Sequence, residues 1–182
     1  MHGRQDPELK PWMFTTVRSW PGPDQSLLPY GIWIAEVMLQ QTQLQVVLPY
    51  WQLWMEAFPT LEALAQANEH DVLLRWQGLG YYSRARRLLT GAQQLIKQIA
   101  PLSSTTLSAW PKDLECWMSL PGIGRTTAAG MLSSAFNSPL AILDGNVPRG
   151  LARLHAHPRS PSRDEGLFWQ WSELLIEADP AR

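Results

Sequence analysis

From Gly31 onward, Pro and Gly interrupt this chain about every 10 to 20 residues, and the runs between them are rich in helix formers. β-branched residues are sparse, and no stretch alternates apolar and polar residues as a half-buried strand does. That spacing predicts an all-α protein of short to medium helices joined by tight turns. With 182 residues, 45% of them hydrophobic, the chain can bury a real core, which argues against general disorder. No run of 18 apolar residues is present to span a bilayer, and no internal repeat or low-complexity segment is visible.

The breaks place the elements. Pro21, Gly22, Pro23 and Pro29 exclude a helix between Ser19 and Tyr30, so residues 1 to 29 read as a lead-in. Pro49 and Pro59 bracket one helix. Thr60 caps the next, and Asn68 with Asp71 resembles a capping box whose helix ends at Gly78. Tyr81 to Ile99 reads as one helix stopped by Pro101, and Pro111 suits the first turn of the segment that follows. Pro121, Gly122 and Gly124 make a hairpin before a helix over Arg125 to Phe136. A helix with Pro148 in its first turn follows Asp144-Gly145-Asn146, and a last helix runs from about Asp164 to Glu177. Most of the ten tryptophans are expected to fill the core.

The formal net charge of −1 conceals a strong segregation. Residues 84 to 163 carry ten basic and three acidic side chains. Residues 30 to 83 carry one basic and five acidic, as do residues 164 to 182. The basic segment can face a polyanion although the whole chain is near neutral. Cys116, the single cysteine, makes no intramolecular disulfide and cannot supply a cysteine-based metal site. The N-terminal MHGRQDPELK lacks the apolar core of a signal peptide, so a cytoplasmic location is expected.

Several segments can carry chemistry. In Leu120-Pro121-Gly122-Ile123-Gly124 the glycines free the backbone and let it approach another surface. The N–H groups opening the next helix then suit a phosphate, with Arg125 adding charge. An ordinary glycine-rich turn has the same composition. Asp144, before a helix, is a common N-cap as well as a candidate acid. Glu36 stands within the apolar run Ile32 to Leu39. A desolvated carboxyl there holds its proton to higher pH, as a general acid requires; a solvated stripe beside Ile32 and Gln40 is the plainer alternative. Gln40-Gln41-Thr42-Gln43 is a polar helix face or a set of amides for base edges. Gly78-Leu79-Gly80-Tyr81-Tyr82-Ser83-Arg84-Ala85-Arg86-Arg87 joins a flexible turn to two aromatics and three arginines, a composition suited to phosphates and a base step.

Taken together, Trp33 to Gln43, Gly78 to Arg84, Leu120 to Arg125 and Ile142-Leu143-Asp144-Gly145-Asn146-Val147 resemble the adenine DNA glycosylases of the helix-hairpin-helix superfamily, in the family's order and spacing. These enzymes remove adenine mispaired with 8-oxoguanine or guanine. The resemblance covers roughly residues 11 to 155. It implies a six-helix barrel over 30 to 140 containing the hairpin at 120 to 125, a partial second helical domain over 141 to 182, and residues 1 to 29 packing with that second domain. It further implies a monomer that binds double-stranded DNA with A:8-oxoguanine or A:G mispairs and extrudes the adenine.

The same resemblance assigns roles. Glu36 matches the acid that protonates the adenine, Asp144 the carboxylate that stabilises the oxocarbenium-like sugar, and Asn146 a residue that orients the site. Gln41 and Tyr81 match residues inserted into the duplex, while Arg84, Gly122, Gly124, Arg125 and Thr126 fall on the DNA-binding side. Thr126 stands where bifunctional relatives carry a nucleophilic lysine, so hydrolysis without strand cleavage is expected. A helix-hairpin-helix module that binds DNA without turnover is the alternative. The family usually adds four cysteines after the last helix, holding a [4Fe–4S] cluster, and a domain that reads 8-oxoguanine. The stretch given encodes no cofactor, so a cluster is expected only if four cysteines follow Arg182, and the chain reads as truncated before that loop. Pro148 replaces the polar residue more usual in the family and is tolerated in a first helical turn.

Overall fold

The computed structural model describes Pro11 and residues 29–99, 109–158 and 161–177. Expectations for the lead-in before Pro29, apart from Pro11, and for Pro101 as a helix stop lie outside the described residues. Among those residues the fold is all-α, as expected, with nine α-helices and no strand. They are α1 Pro29–Leu39, α2 Leu44–Ala57, α3 Leu61–Gln66, α4 Glu69–Trp76, α5 Ser83–Ile99, α6 Leu114–Met118, α7 Arg125–Phe136, α8 Val147–Leu154 and α9 Glu165–Glu177. A short 3₁₀ turn, Pro161–Arg163, precedes α9. No described helix is long and apolar enough to cross a membrane.

The central element is α1. Its sequence PYGIWIAEVML is apolar on nearly every side, and a helix of that kind is stable only when surrounded. It packs against α2, α5 and α7. The facing surface of α7 offers Ala128, Ala129, Met131, Leu132 and Ala135, all buried, and its small residues let the two helices approach closely. On α5, Gly91 serves the same end, since a Cβ there would lie 3.0 Å from the Trp33 ring.

The main core draws its members from residues 30 to 140. Trp33, Trp54, Trp76 and Trp117 are fully buried in it, and Trp110 stacks on Trp117 with centroids 6.1 Å apart. Leu151 and Phe168 are buried outside that cluster. Around Phe168 lies a second aromatic group: Trp171 at 5.1 Å, His157 at 5.3 Å and, stacked on Trp171 at 4.1 Å, His155.

Local chemistry sets most boundaries. The Thr60 hydroxyl accepts from Ala63 N–H at 3.2 Å. Asn68 accepts from Asp71 N–H at 2.8 Å and donates to its carboxylate at 2.7 Å, the reciprocal arrangement expected from the spacing. Helix α7 covers the expected residues and ends at Asn137 in the left-handed region, φ 53°.

Three boundaries differ from expectation. Pro49 lies inside α2 instead of opening it, on an exposed face where the lost backbone bond to Gln45 is open to solvent. Pro111 lies outside α6, which Asp113 caps by accepting from Cys116 N–H at 2.8 Å. Helix α5 starts at Ser83 and not Tyr81, because Tyr81 adopts a left-handed conformation, φ 47°.

Candidate active site and nucleic-acid interface

Three surface turns meet at one end of α1. Gln41 has φ 58° and Tyr81 φ 47°, backbone conformations that cost a non-glycine residue about 1–3 kcal/mol unless the surroundings enforce them. Both side chains are exposed, Tyr81 at 61%. The enforcing group is Arg84. It donates to the carbonyls of Val37 (3.2 Å), Met38 (2.9 Å) and Gln40 on one side, and to those of Leu79 (3.2 Å) and Gly80 (3.4 Å) on the other. It also reaches the Thr42 hydroxyl at 3.1 Å. Its guanidinium lies over the rings of Trp76 (5.3 Å) and Tyr81 (5.4 Å). One planar cation thus ties the turn carrying Gln41 to the turn carrying Tyr81. Burial pushes its pKa below the ordinary arginine value, with no consequence for its charge near neutral pH.

The hairpin joins the same group. Gln40, the residue before Gln41, donates from Nε2 to Gly122 O at 3.2 Å. Gly122 has φ +79°, and a Cβ there would meet Arg87 Cδ at 2.7 Å, so only glycine fits without a shift. Gly124 differs from expectation: its φ of −89° is open to any residue, and nothing lies within 4 Å of its Cβ position. It is the N-cap of α7. The N–H groups of Arg125 to Thr127 precede the first intrahelical bond, from Ala128 N–H to Gly124 O at 2.9 Å.

These facts separate two substitutions. Gly122→Ala should destabilise by about 1–3 kcal/mol in urea unfolding, because it forces an L-residue into the left-handed region beside Arg87. Gly124→Ala should stay within about 0.5 kcal/mol of the parent, loss of a glycine cap offsetting a stiffer unfolded chain. It should nevertheless weaken duplex binding, since its Cβ fills open space at the helix start. Equal stability losses in the two variants would refute this division.

The two candidate acids lie on α1 and on the loop before α8. Glu36 lies one helical turn before Gln40 on α1 and is part-buried. Its Oε2 is 3.9 Å from the position a Gly130 Cβ would take on α7, and Ile142 Cδ1 is 3.9 Å from that same point. Glu36 and Ile142 thus both approach Gly130, and Ile142 leads, two residues later, to Asp144. Asp144 is exposed, and its Oδ1 accepts from the N–H groups of Asn146 (2.8 Å) and Val147 (2.9 Å). Asp144 lies two residues before Asn146, the N-cap of α8, and these two bonds tie its side chain to the start of that helix. Asn146 is exposed and accepts from Arg149 through Oδ1. The Thr126 hydroxyl donates to Leu143 O at 3.2 Å, linking the first turn of α7 to the same loop.

The arginines expected at phosphates are placed differently from one another. Arg84 is 5% exposed with its donors aimed at carbonyls, which corrects its reading as a phosphate contact: it shapes the surface from beneath. Arg86 pairs with Glu69 at 2.8 Å. Arg125 pairs with Glu173 of α9 and lies over the Trp169 ring at 4.2 Å. Arg87 is exposed beside Gly122 and makes no ion pair among the described residues. Glu173 is therefore expected to compete with a phosphate for Arg125. Glu173→Gln should steepen the logarithmic salt dependence of duplex binding by about 0.9, one phosphate's share, and an unchanged slope would place Arg125 away from DNA.

Sequence reasoning missed Trp169, Ser172 and Glu173, and it offered Gln40 for base edges whereas its amide holds Gly122 O. Only the i, i+4 spacing of Trp169 and Glu173 hinted at a shared target. Ser172 is buried and donates to Ile142 O at 3.0 Å. As for a metal cluster, no three His, Cys, Asp or Glu side chains among the described residues converge as ligands, and Cys116 contacts Gln98 at 3.0 Å. These residues do not fit a [4Fe–4S] site.

Residues 34–172 match the family model "HhH-GPD superfamily base excision DNA repair protein". The chain is 40% identical over 158 residues to the adenine DNA glycosylase of Homo sapiens, covering 84% of this chain and 27% of that protein. It is 39% identical over 158 residues to that of Rattus norvegicus, covering 84% and 28%. It thus spans under a third of the length of these relatives. The solved structure of a thermostable thymine-DNA glycosylase shares the fold at a TM-score of 0.69 and 20% identity, over 92% of this chain and 75% of that one. With most of the core, the glycine hairpin and the helix it opens lying inside the matched span, this chain belongs to the HhH-GPD superfamily of base excision DNA repair proteins.

Proposed function

We propose that this chain is the catalytic portion of a monofunctional adenine DNA glycosylase. It acts as a monomer on double-stranded DNA and releases adenine opposite 8-oxoguanine or guanine by hydrolysis. The observation that carries this is the convergence at α1: Glu36 and Ile142, two residues before Asp144, both approach Gly130, and one turn after Glu36 the side chains of Arg84 and Gln40 gather the Gln41, Tyr81 and hairpin turns. A part-buried acid thus lies one turn from a surface with two projecting side chains and a helix N-terminus.

In this mechanism the hairpin and the α7 N-terminus hold a backbone phosphate of the target strand, while Gln41 and Tyr81 fill the gap left by the extruded nucleotide. Glu36 donates a proton to a ring nitrogen of adenine. The C1′–N9 bond then breaks, its electron pair leaving with the neutral base. The Asp144 carboxylate faces the positive charge that develops on the sugar; Asn146 steadies the loop through its contact with Arg149. Water adds at C1′ and loses a proton, leaving an abasic site. Thr126 supplies no amine, so no Schiff base forms and the strand stays intact.

Single-turnover excision from a duplex with adenine opposite 8-oxoguanine tests the proposal, with cytosine opposite 8-oxoguanine as control. Base release confined to the adenine duplex, without a borohydride-trappable adduct, is expected. Tight binding without release supports the non-catalytic module instead. Thr126→Lys should create a trappable adduct by placing an amine near C1′. Efficient trapping by the parent would overturn the monofunctional assignment.

A further inference from the structure

The described residues bury only two polar side chains, Arg84 and Ser172. Arg84 organises the duplex-facing turns. Ser172 lies on α9 at 5% exposure, and its hydroxyl reaches out of its own helix to Ile142 O at 3.0 Å. The next carbonyl, Leu143 O, accepts from Thr126 of α7 at 3.2 Å. Each carbonyl belongs to a rigid peptide plane, and the second plane includes the N and Cα of Asp144. Two hydroxyls from two helices thus hold the consecutive planes leading into that residue. Beyond it, the amides of Asn146 and Val147 hold its side chain through Oδ1.

Helix α9 is held in register for this contact. Trp169 and Glu173, on either side of Ser172, both engage Arg125, the neighbour of Thr126. The first turn of α7 and the middle of α9 therefore grip one loop between them. Elsewhere α9 is lightly covered: Leu174 is 59% and Leu175 53% exposed. A helix with so much apolar surface in water opens more readily than the core.

We infer that Ser172 is a positioning residue for Asp144, through which docking of α9 on the loop sets the rate of the chemical step. The inference rests on the proposed excision activity. Asp144 must face a charge developing at one atom, and a shift of about 1 Å in such a group costs on the order of 10²-fold in rate. The Ser172 hydroxyl lies behind the loop, so its loss alters where Asp144 points without removing a DNA contact.

Two readouts on the full chain test this. In Ser172→Ala, amide exchange at Asn146 and Val147, the donors to Asp144, should accelerate relative to that at Ala128 to Ala135. This measurement needs no activity, so it separates the loop contact from the proposed reaction. Single-turnover adenine release should fall about tenfold, equivalent to about 1.4 kcal/mol of barrier, with duplex affinity held within about two-fold. Ser172→Thr restores the donor and should recover most of the rate. Unchanged exchange at Asn146 and Val147 overturns the positioning role. Parent-like release by Ser172→Ala overturns its link to chemistry while leaving the proposed function intact. A loss of affinity equal to the loss of rate shows a structural residue only and overturns it as well. A parent that releases no adenine removes the proposed function itself, whatever the exchange result.

Discussion

Glu36→Gln is expected to lower single-turnover adenine release by about 10²- to 10⁴-fold while leaving mispair binding within a few-fold of the parent. Glutamine has nearly the volume of glutamate, so the packing beside Gly130 is retained and only the transferable proton is lost. The large effect follows from the leaving group. Adenine departs poorly as an anion and well as a neutral base, and the protein can make that difference only by delivering a proton as the bond breaks. Excision at the parental rate would remove Glu36 from the mechanism. Loss of binding together with excision would place it in the DNA interface instead.

Arg84→Met should destabilise the fold by at least about 3 kcal/mol, since each buried carbonyl left without a donor costs about 1–3 kcal/mol. For a chain of this length that corresponds to a fall in Tm of roughly 6–12 °C. Arg84→Lys should not rescue it: one ammonium has three donors on a flexible stem and cannot serve five carbonyls in two separate turns. With the clamp gone, Gln41 and Tyr81 relax from their left-handed conformations, and discrimination of mispaired from matched duplex should fall even where the variant is folded. Thermal unfolding and paired binding titrations provide the check. A lysine variant with parental stability and discrimination would show that charge alone, and not the planar fork, is what the site needs.

The salt dependence of binding is now expected to come from fewer groups than the arginine count suggests. Arg84 is committed to carbonyls, Arg86 to Glu69 and Arg125 to Glu173, whereas Arg87 stands exposed at the hairpin. The +7 segment is thus partly neutralised by the acidic segments on either side of it. A sum over sequence windows cannot register this, because the pairs join residues 17 and 48 positions apart.

The order of the helices, the caps at Thr60 and Asn68, the extent of α7 and α9, and the glycine required at position 122 were all determined by the sequence alone. Each depends on groups within a few residues: a side-chain oxygen three positions before an N–H, a missing Cβ, an apolar repeat at helical spacing. The tertiary structure decided the rest. Pro49 continues a helix because its face is exposed and the surrounding helix is held by burial of Val47 and Trp54. Arg84 changes from a surface cation to an internal clamp because α5 brings it under the end of α1, more than 40 residues away. Ser172 reaches the Asp144 loop only because α9 docks on Arg125. Interactions of this range have no periodic signature in the chain. They exist once packing has brought distant backbone carbonyls within reach of a donor, and it is packing that sets which polar side chains are buried and what they hold.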